Sequence, residues 1–188
     1  PFYPTAEDVY SPSPNLRMIQ QTPTEKTLPV AIWQELLAEW GDARRILIVC
    51  GQHKPSERIN QALRRITEEL HVPVVADSIA NLQGSGLFIK NHDLFLPVAE
   101  GDNIQPNLLI TYGLSVISKS LKLLLRQYPS VIHWHIADDA HVADPFQSIT
   151  RHIPVSGEYF FEKLFEEIDY SLYTSNSEPE NDLQYFDY

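Results

Sequence analysis

Apolar runs of strand length alternate with stretches of helical spacing through most of this chain. Residues 45–51, 72–77, 108–112, 131–137 and 151–155 read as strands. Helical patterns occupy residues 56–70, 118–127 and 158–168, with a weaker one over 91–100. Ahead of the first strand, Ile32, Trp33, Leu36, Leu37 and Trp40 recur at helical spacing, with Pro29 near the first turn and Gly41 at the end. An aromatic stripe of that kind belongs to a core. Strands apolar enough to be buried on both faces, alternating with helices, predict an α/β fold: a mainly parallel sheet of five or six strands with right-handed crossovers.

The two ends break the pattern. The first 28 residues hold Pro1, Pro4, Pro12, Pro14 and Pro23 with little apolar periodicity, which predicts an extended arm. Residues 29–170 form the expected domain, and residues 171–188 read as an acidic linker. The net charge of −11 sits mainly at this end: residues 158–188 hold nine Asp or Glu against one Lys. With no basic stripe, the chain is a poor match for a phosphate backbone, so nucleic acid is not an expected partner. The single cysteine, Cys50, lies inside an apolar run and reads as a buried core thiol, which lends no support to an oxidising compartment. No stretch reaches the roughly 20 apolar residues of a membrane span, and the first residues lack the basic and apolar regions of a signal peptide. A cytoplasmic protein without a transmembrane segment is expected.

Candidate chemistry gathers at the end of the third strand. There Asn107-Leu108-Leu109-Ile110-Thr111-Tyr112 runs through Gly113 into a helix whose start carries Ser118, Lys119 and Ser120. In open α/β sheets the crevice at the carboxyl ends of the strands is where ligands bind, so a cation and two hydroxyls placed there are candidate substrate-binding residues. Lys119 also stands against the positive end of the helix macrodipole, a small electrostatic cost that favours a functional reading over a solvated lysine.

Other motifs lead less far. The first strand ends in Gly51-Gln52-His53-Lys54-Pro55, which lacks the second and third glycines of a dinucleotide-binding turn. Gly84-Ser85-Gly86 precedes no clear phosphate-binding helix. Gly101-Asp102-Asn103 resembles the start of a thiamine diphosphate metal motif but has no second Asn at the required distance, and reads as a polar turn. His133 and His135 share one face of a strand with Asp138, Asp139, His141 and Asp144 beyond it, a set that would suit zinc. Polar residues covering a strand end are the commoner outcome of such a pattern. Asp144-Pro145 reads as a turn start, and Asp77 as a cap for the segment that follows it. No Gly-x-Ser-x-Gly elbow, Cys–His pairing or P-loop is present. The chain therefore offers no catalytic, cofactor-binding or metal-ligating set of its own.

The stretch from Asn107 to Leu121 resembles the strand, glycine turn and lysine-bearing helix start in the middle domain of the 2-succinyl-5-enolpyruvyl-6-hydroxy-3-cyclohexene-1-carboxylate (SEPHCHC) synthases, the MenD family of menaquinone biosynthesis. In the same order, residues 46–51 resemble its first strand and glycine, and Pro73-Val74-Val75-Ala76-Asp77 with Asn81-Leu82 its Pro-Val-x-Ala-Asp segment. Residues 131–137 with Asp144-Pro145 resemble its penultimate strand and Asp-Pro turn. Pro1-Phe2-Tyr3-Pro4 is similar to its lead out of the preceding domain.

The resemblance implies a Rossmann-like three-layer domain of the DHS-like NAD/FAD-binding type. It would be flanked in the same polypeptide by N- and C-terminal domains that hold thiamine diphosphate with Mg2+ or Mn2+, neither bound by this domain. It implies a transferase that decarboxylates 2-oxoglutarate and adds the product to isochorismate, a homo-oligomeric full-length enzyme, and inactivity of this domain alone. The family's central-domain lysine contacts the isochorismate side of the site, and Lys119 matches it; where family members often carry Arg beside that lysine, this chain has Ser120. The alternative is a regulatory domain that binds a small anion or a nucleotide in the sheet crevice, drawing on Arg44, Arg45, Lys54 and Lys119.

Overall fold

Five short apolar segments, each too short to bury itself alone, hydrogen-bond side by side: β1 (Ile46–Cys50), β2 (Val74–Ala76), β3 (Leu108–Tyr112), β4 (Ile132–Ile136) and β5 (Arg151–Ile153). The computed structural model describes residues 26–84, 86–96, 105–138 and 142–168. Residues 1–25 of the arm expected over residues 1–28, the polar turn at 101–103, Asp139, His141 and the acidic tail lie outside the described residues. All pairings are parallel and the strand order is β2-β1-β3-β4-β5. The α/β sheet expected from the alternation is therefore present. Ile89 adds a feature that periodicity did not suggest: an isolated parallel bridge pairs it with Val75 on the outer side of β2.

Around the sheet lie α1 (Val30–Asp42), α2 (Glu57–Leu70), a single turn α3 (His92–Phe95), α4 (Lys119–Gln127) and α5 (Gly157–Glu167). Helix starts follow the sequence signals, with Ser56, Ser118 and Ser156 accepting from the third backbone N–H beyond each. The helix expected over 91–100 is described only as far as Leu96, and within that range it is one turn.

Alternate strand residues point to opposite faces. On one face Ile48, Cys50, Leu108, Ile110, Trp134 and Ile136 meet α1, α2 and α5 through Leu36, Leu63, Phe160 and Phe161. On the other, Leu47, Val49 and Leu109 meet Leu121 and Leu125 of α4, with Phe146 alongside. Cys50 is fully buried, and desolvation pushes its thiol well above the usual range, so it is an inert core residue.

Candidate functional site at the end of the third strand

The strand order reverses between β1 and β3, and in sheets of this order ligands enter at that switch point. Here the two turns leaving β1 and β3 close on each other. The Gly51 N–H donates to the Tyr112 carbonyl (2.9 Å), the Gln52 N–H to the Ser115 carbonyl (3.1 Å) and the Leu114 N–H to the Gln52 carbonyl (2.8 Å). Two glycines permit this approach. A β-carbon on Gly51 would strike the Leu114 carbonyl, and one on Gly113 would sit 2.8 Å from the Gln52 carbonyl; Gly113 also has φ +83°, a conformation that side chains disfavour. Gly51 thus serves a close backbone contact between the two turns.

The segment from Gly113 to Ser118 then rides over the sheet edge into α4. Its end is held by carboxylates from two other elements. Asp77, just past β2, accepts from the Ile117 N–H (2.6 Å) and the Ser118 N–H (3.1 Å) through one oxygen. Its other oxygen accepts from the Ser78 hydroxyl (3.1 Å) and the Ile79 N–H (3.4 Å). Burial pushes the Asp77 carboxyl up, but the hydrogen bonds from the Ser118, Ile117 and Ile79 N–H groups and the Ser78 hydroxyl together bring the net shift downward, so Asp77 is ionised at neutral pH. Asp93 of α3 accepts from the Ser118 hydroxyl at 2.6 Å.

Of the three candidate residues, Ser118 is buried and its hydroxyl is engaged twice, donating to Asp93 and accepting from the Leu121 N–H at 3.0 Å. Ser120 is half-buried. Lys119 is exposed, with no hydrogen-bond or ion-pair partner among the described residues. Leu114 and Ile117 beside it are also exposed, as is Leu94 next to Asp93. Of the other cations, Lys54 follows β1 at the same edge and is exposed, whereas the two arginines do not join it. Arg44 and Arg45 precede β1 and so lie at the opposite edge of the sheet, roughly 16 Å away for five residues of strand.

His133 and His135 form a second polar group, on the α4 face. Thr111 Oγ1 is 2.9 Å from both His133 Nε2 and His135 Nδ1, and Ser148 Oγ is 2.9 Å from His133 Nδ1. One hydroxyl proton cannot serve two imidazoles, so at least one ring donates to Thr111. Desolvation lowers His133 to about 4, with the Asp144 charge opposing it, and lowers His135 as well, helped there by His152. Asp144 is occupied as a loop cap, accepting from the Phe146, Gln147 and Ile149 N–H groups at 3.2, 2.7 and 3.0 Å. Among the described residues no three His, Cys, Asp or Glu side chains converge as a metal site. A cavity of about 200 Å³ lies on the other face of the sheet, lined by Lys26, Arg58, Asp138, Tyr159, Glu162 and Lys163. Its charges are matched internally, with Lys26–Asp138 and Arg58–Glu162 both at 2.6 Å.

The feature that sequence reasoning missed is Asp77. Read as a cap for its own following segment, it also holds the two residues that lead into a helix some forty residues later.

No family model matches the chain. It is 31% identical over 166 residues to a SEPHCHC synthase from Cytophaga hutchinsonii, covering 87% of the chain and 29% of that relative. A Flavobacterium psychrophilum synthase of the same name is 30% identical over 172 residues (90% and 30% coverage), and one from Bacteroides thetaiotaomicron is 37% identical over 102 residues (53% and 18%). The chain thus spans less than a third of the length of these curated relatives. Among solved structures, an exopolyphosphatase-related protein from Bacteroides fragilis aligns with TM-score 0.51 at 13% identity, over 78% of this chain and 46% of that one, a likeness of fold.

Proposed function

We propose, for a chain homologous to a domain-length segment of the SEPHCHC synthases, that it is the central domain of such an enzyme: a scaffold that presents Lys119 to the isochorismate side of an active site completed by other domains of the same polypeptide. Residues 29–170 are the domain proper, the stretches on either side connect it, and the full enzyme is a homo-oligomer. The observation that carries the reading is Lys119: within a segment shared with these synthases, an ammonium with no partner among the described residues stands exposed at the carboxyl edge of the sheet. Isochorismate is a dicarboxylate, and one charged contact to a carboxylate contributes about 1.5–3 kcal/mol. Ser118 fixes the first turn of α4, and Ser120 stands where a second polar contact to the same substrate would fall.

The full enzyme joins 2-oxoglutarate, decarboxylated with thiamine diphosphate and Mg2+ or Mn2+, to isochorismate. The residues of this domain do not suit that cofactor. A diphosphate at the start of α4 would meet the ionised Asp77, which already takes the Ile117 and Ser118 N–H groups, and the turns after β1 and β3 are closed by backbone contact. The chain alone is therefore inactive. In the full-length enzyme, Lys119→Ala raises the KM for isochorismate roughly ten- to a hundredfold, and depresses 2-oxoglutarate decarboxylation much less. Equal losses in both half-reactions would reduce Lys119 to a structural role. Turnover by the isolated 188-residue chain would overturn the assignment as a partial site.

A further inference from the structure

We infer that Asp77 is a positioning residue for Lys119, acting from the edge of the sheet across the end of β1 and through the backbone of residues 117 and 118. This rests on the reading of Lys119 as a substrate contact and goes beyond it, since it assigns a role to a residue on a different strand.

The geometry begins with the strand order. β2 and β3 flank β1, so Asp77 must reach past the end of the intervening strand to touch the loop that follows β3. Gly51, with no side chain, lets the turn after β3 close on the end of β1. Asp77 is itself rigidly held, because its N–H donates to the Cys50 carbonyl (3.1 Å) and its carbonyl accepts from the Ala80 N–H (2.8 Å). Asn81 strengthens the same corner by donating to the His53 carbonyl at 2.6 Å. From this anchored platform one carboxylate oxygen takes two successive N–H groups, those of the residues immediately before Lys119.

Two effects follow. Residues 117 and 118 cannot shift without breaking a charge-assisted hydrogen bond, so the Cα of Lys119 has a defined place above the sheet. The negative charge of Asp77 also answers the positive end of α4, which would otherwise oppose a lysine in the first helical position. Asp77 forms no ion pair with Lys119. Among the described residues the ammonium meets no carboxylate, which leaves it for an external one. Charge recognition at this edge therefore rests on the side chain of Lys119, since the Ile117 and Ser118 N–H groups before it are already taken by Asp77.

The test is a double-mutant cycle in the full-length enzyme, using Asp77→Ala, Lys119→Ala and the pair, with isochorismate KM, isochorismate-dependent kcat and 2-oxoglutarate decarboxylation as readouts. Asp77→Ala should raise isochorismate KM roughly tenfold or more, as displacement of a positioned group by about 1 Å does. Asp77→Asn, which keeps an acceptor oxygen, should recover part of that loss and remains readable if the alanine variant folds poorly. In the Lys119→Ala background, removing Asp77 should change isochorismate KM by less than about twofold, because residues acting as a unit are not additive. Full additivity, or an unchanged isochorismate KM in Asp77→Ala, would overturn the inference while leaving Lys119 in place. An unchanged isochorismate KM in Lys119→Ala would instead overturn the reading on which it rests.

Discussion

The two faces of the sheet are built from the same strands but do different work. β4 makes the contrast plainest: Trp134 and Ile136 point into an apolar layer under α1, α2 and α5, whereas His133 and His135 point to the α4 side. The first face carries the larger apolar cluster, and Phe160 packs its ring against Trp33, Phe161 and Trp134 at centroid distances of 5.5, 5.4 and 6.3 Å. The second face has a smaller apolar cluster, a threonine bonded to two buried histidines, and the carboxylate-held loop that carries Lys119. Stability is concentrated on one side, and polar precision on the other.

Deleting packing on the first face should have the largest effect. Phe160→Ala is expected to lower the unfolding free energy of the 188-residue chain by about 3–5 kcal/mol, read from urea denaturation. A loss no larger than the ~0.5 kcal/mol of a surface substitution would mean that this layer is not the packed one.

Acid should find the second face instead. His133 sits at about 4 in the folded chain against about 6.5 when unfolded, so between those values the unfolded state binds more protons. Stability is therefore held above about pH 6.5 and lost as pH falls toward 4, by up to the order of 3 kcal/mol. His135 titrates in the same direction, and Asp144 opposes both. Urea midpoints measured across that window should fall with pH, and His133→Asn should flatten the slope. An unchanged slope in that variant would show that the acid sensitivity lies elsewhere.

A smaller effect isolates the hydroxyl between the two rings. Thr111→Val keeps the shape but leaves His133 Nε2 and His135 Nδ1 without their shared partner, at a cost of about 1–3 kcal/mol. If the variant were as stable as the parent, the two histidines would be packing residues and the polar character of this face would be incidental.

Much of this contrast is legible in the chain. The run from Leu108 to Tyr112 gives β3 at its observed length because five residues of strand-forming character stand between a polar Asn107 and a glycine. The His133-Trp134-His135 alternation assigns opposite faces by the two-residue period alone. Local spacing cannot show partners distant in sequence. Asp77 meets Ile117 across another strand, and Gly51 is required by the Leu114 carbonyl, contacts set by strand order. Ser118 looked like a hydroxyl offered to substrate, and the pattern around it does not reveal that Asp93 and the Leu121 N–H already engage it.

The smallest expected effect tests whether the apolar face depends on charge at all. Arg151 of β5 bridges Glu35 and Glu39 of α1 at 2.9 and 2.7 Å, and Glu39 also accepts from the Trp134 indole N–H at 2.6 Å. These contacts tie α1 to the sheet, but they lie at its rim, where Glu35 remains 56% exposed. A pair so placed gains little in water and is screened by salt. Arg151→Lys keeps the charge and loses the planar fork that spans two carboxylates. It should cost less than about 1 kcal/mol, and the difference should shrink further as salt is raised. A loss comparable to that of Phe160→Ala would mean that α1 is held by its ion pairs and not by Trp33, Leu36 and Trp40. The division of labour between the two faces would then have to be redrawn.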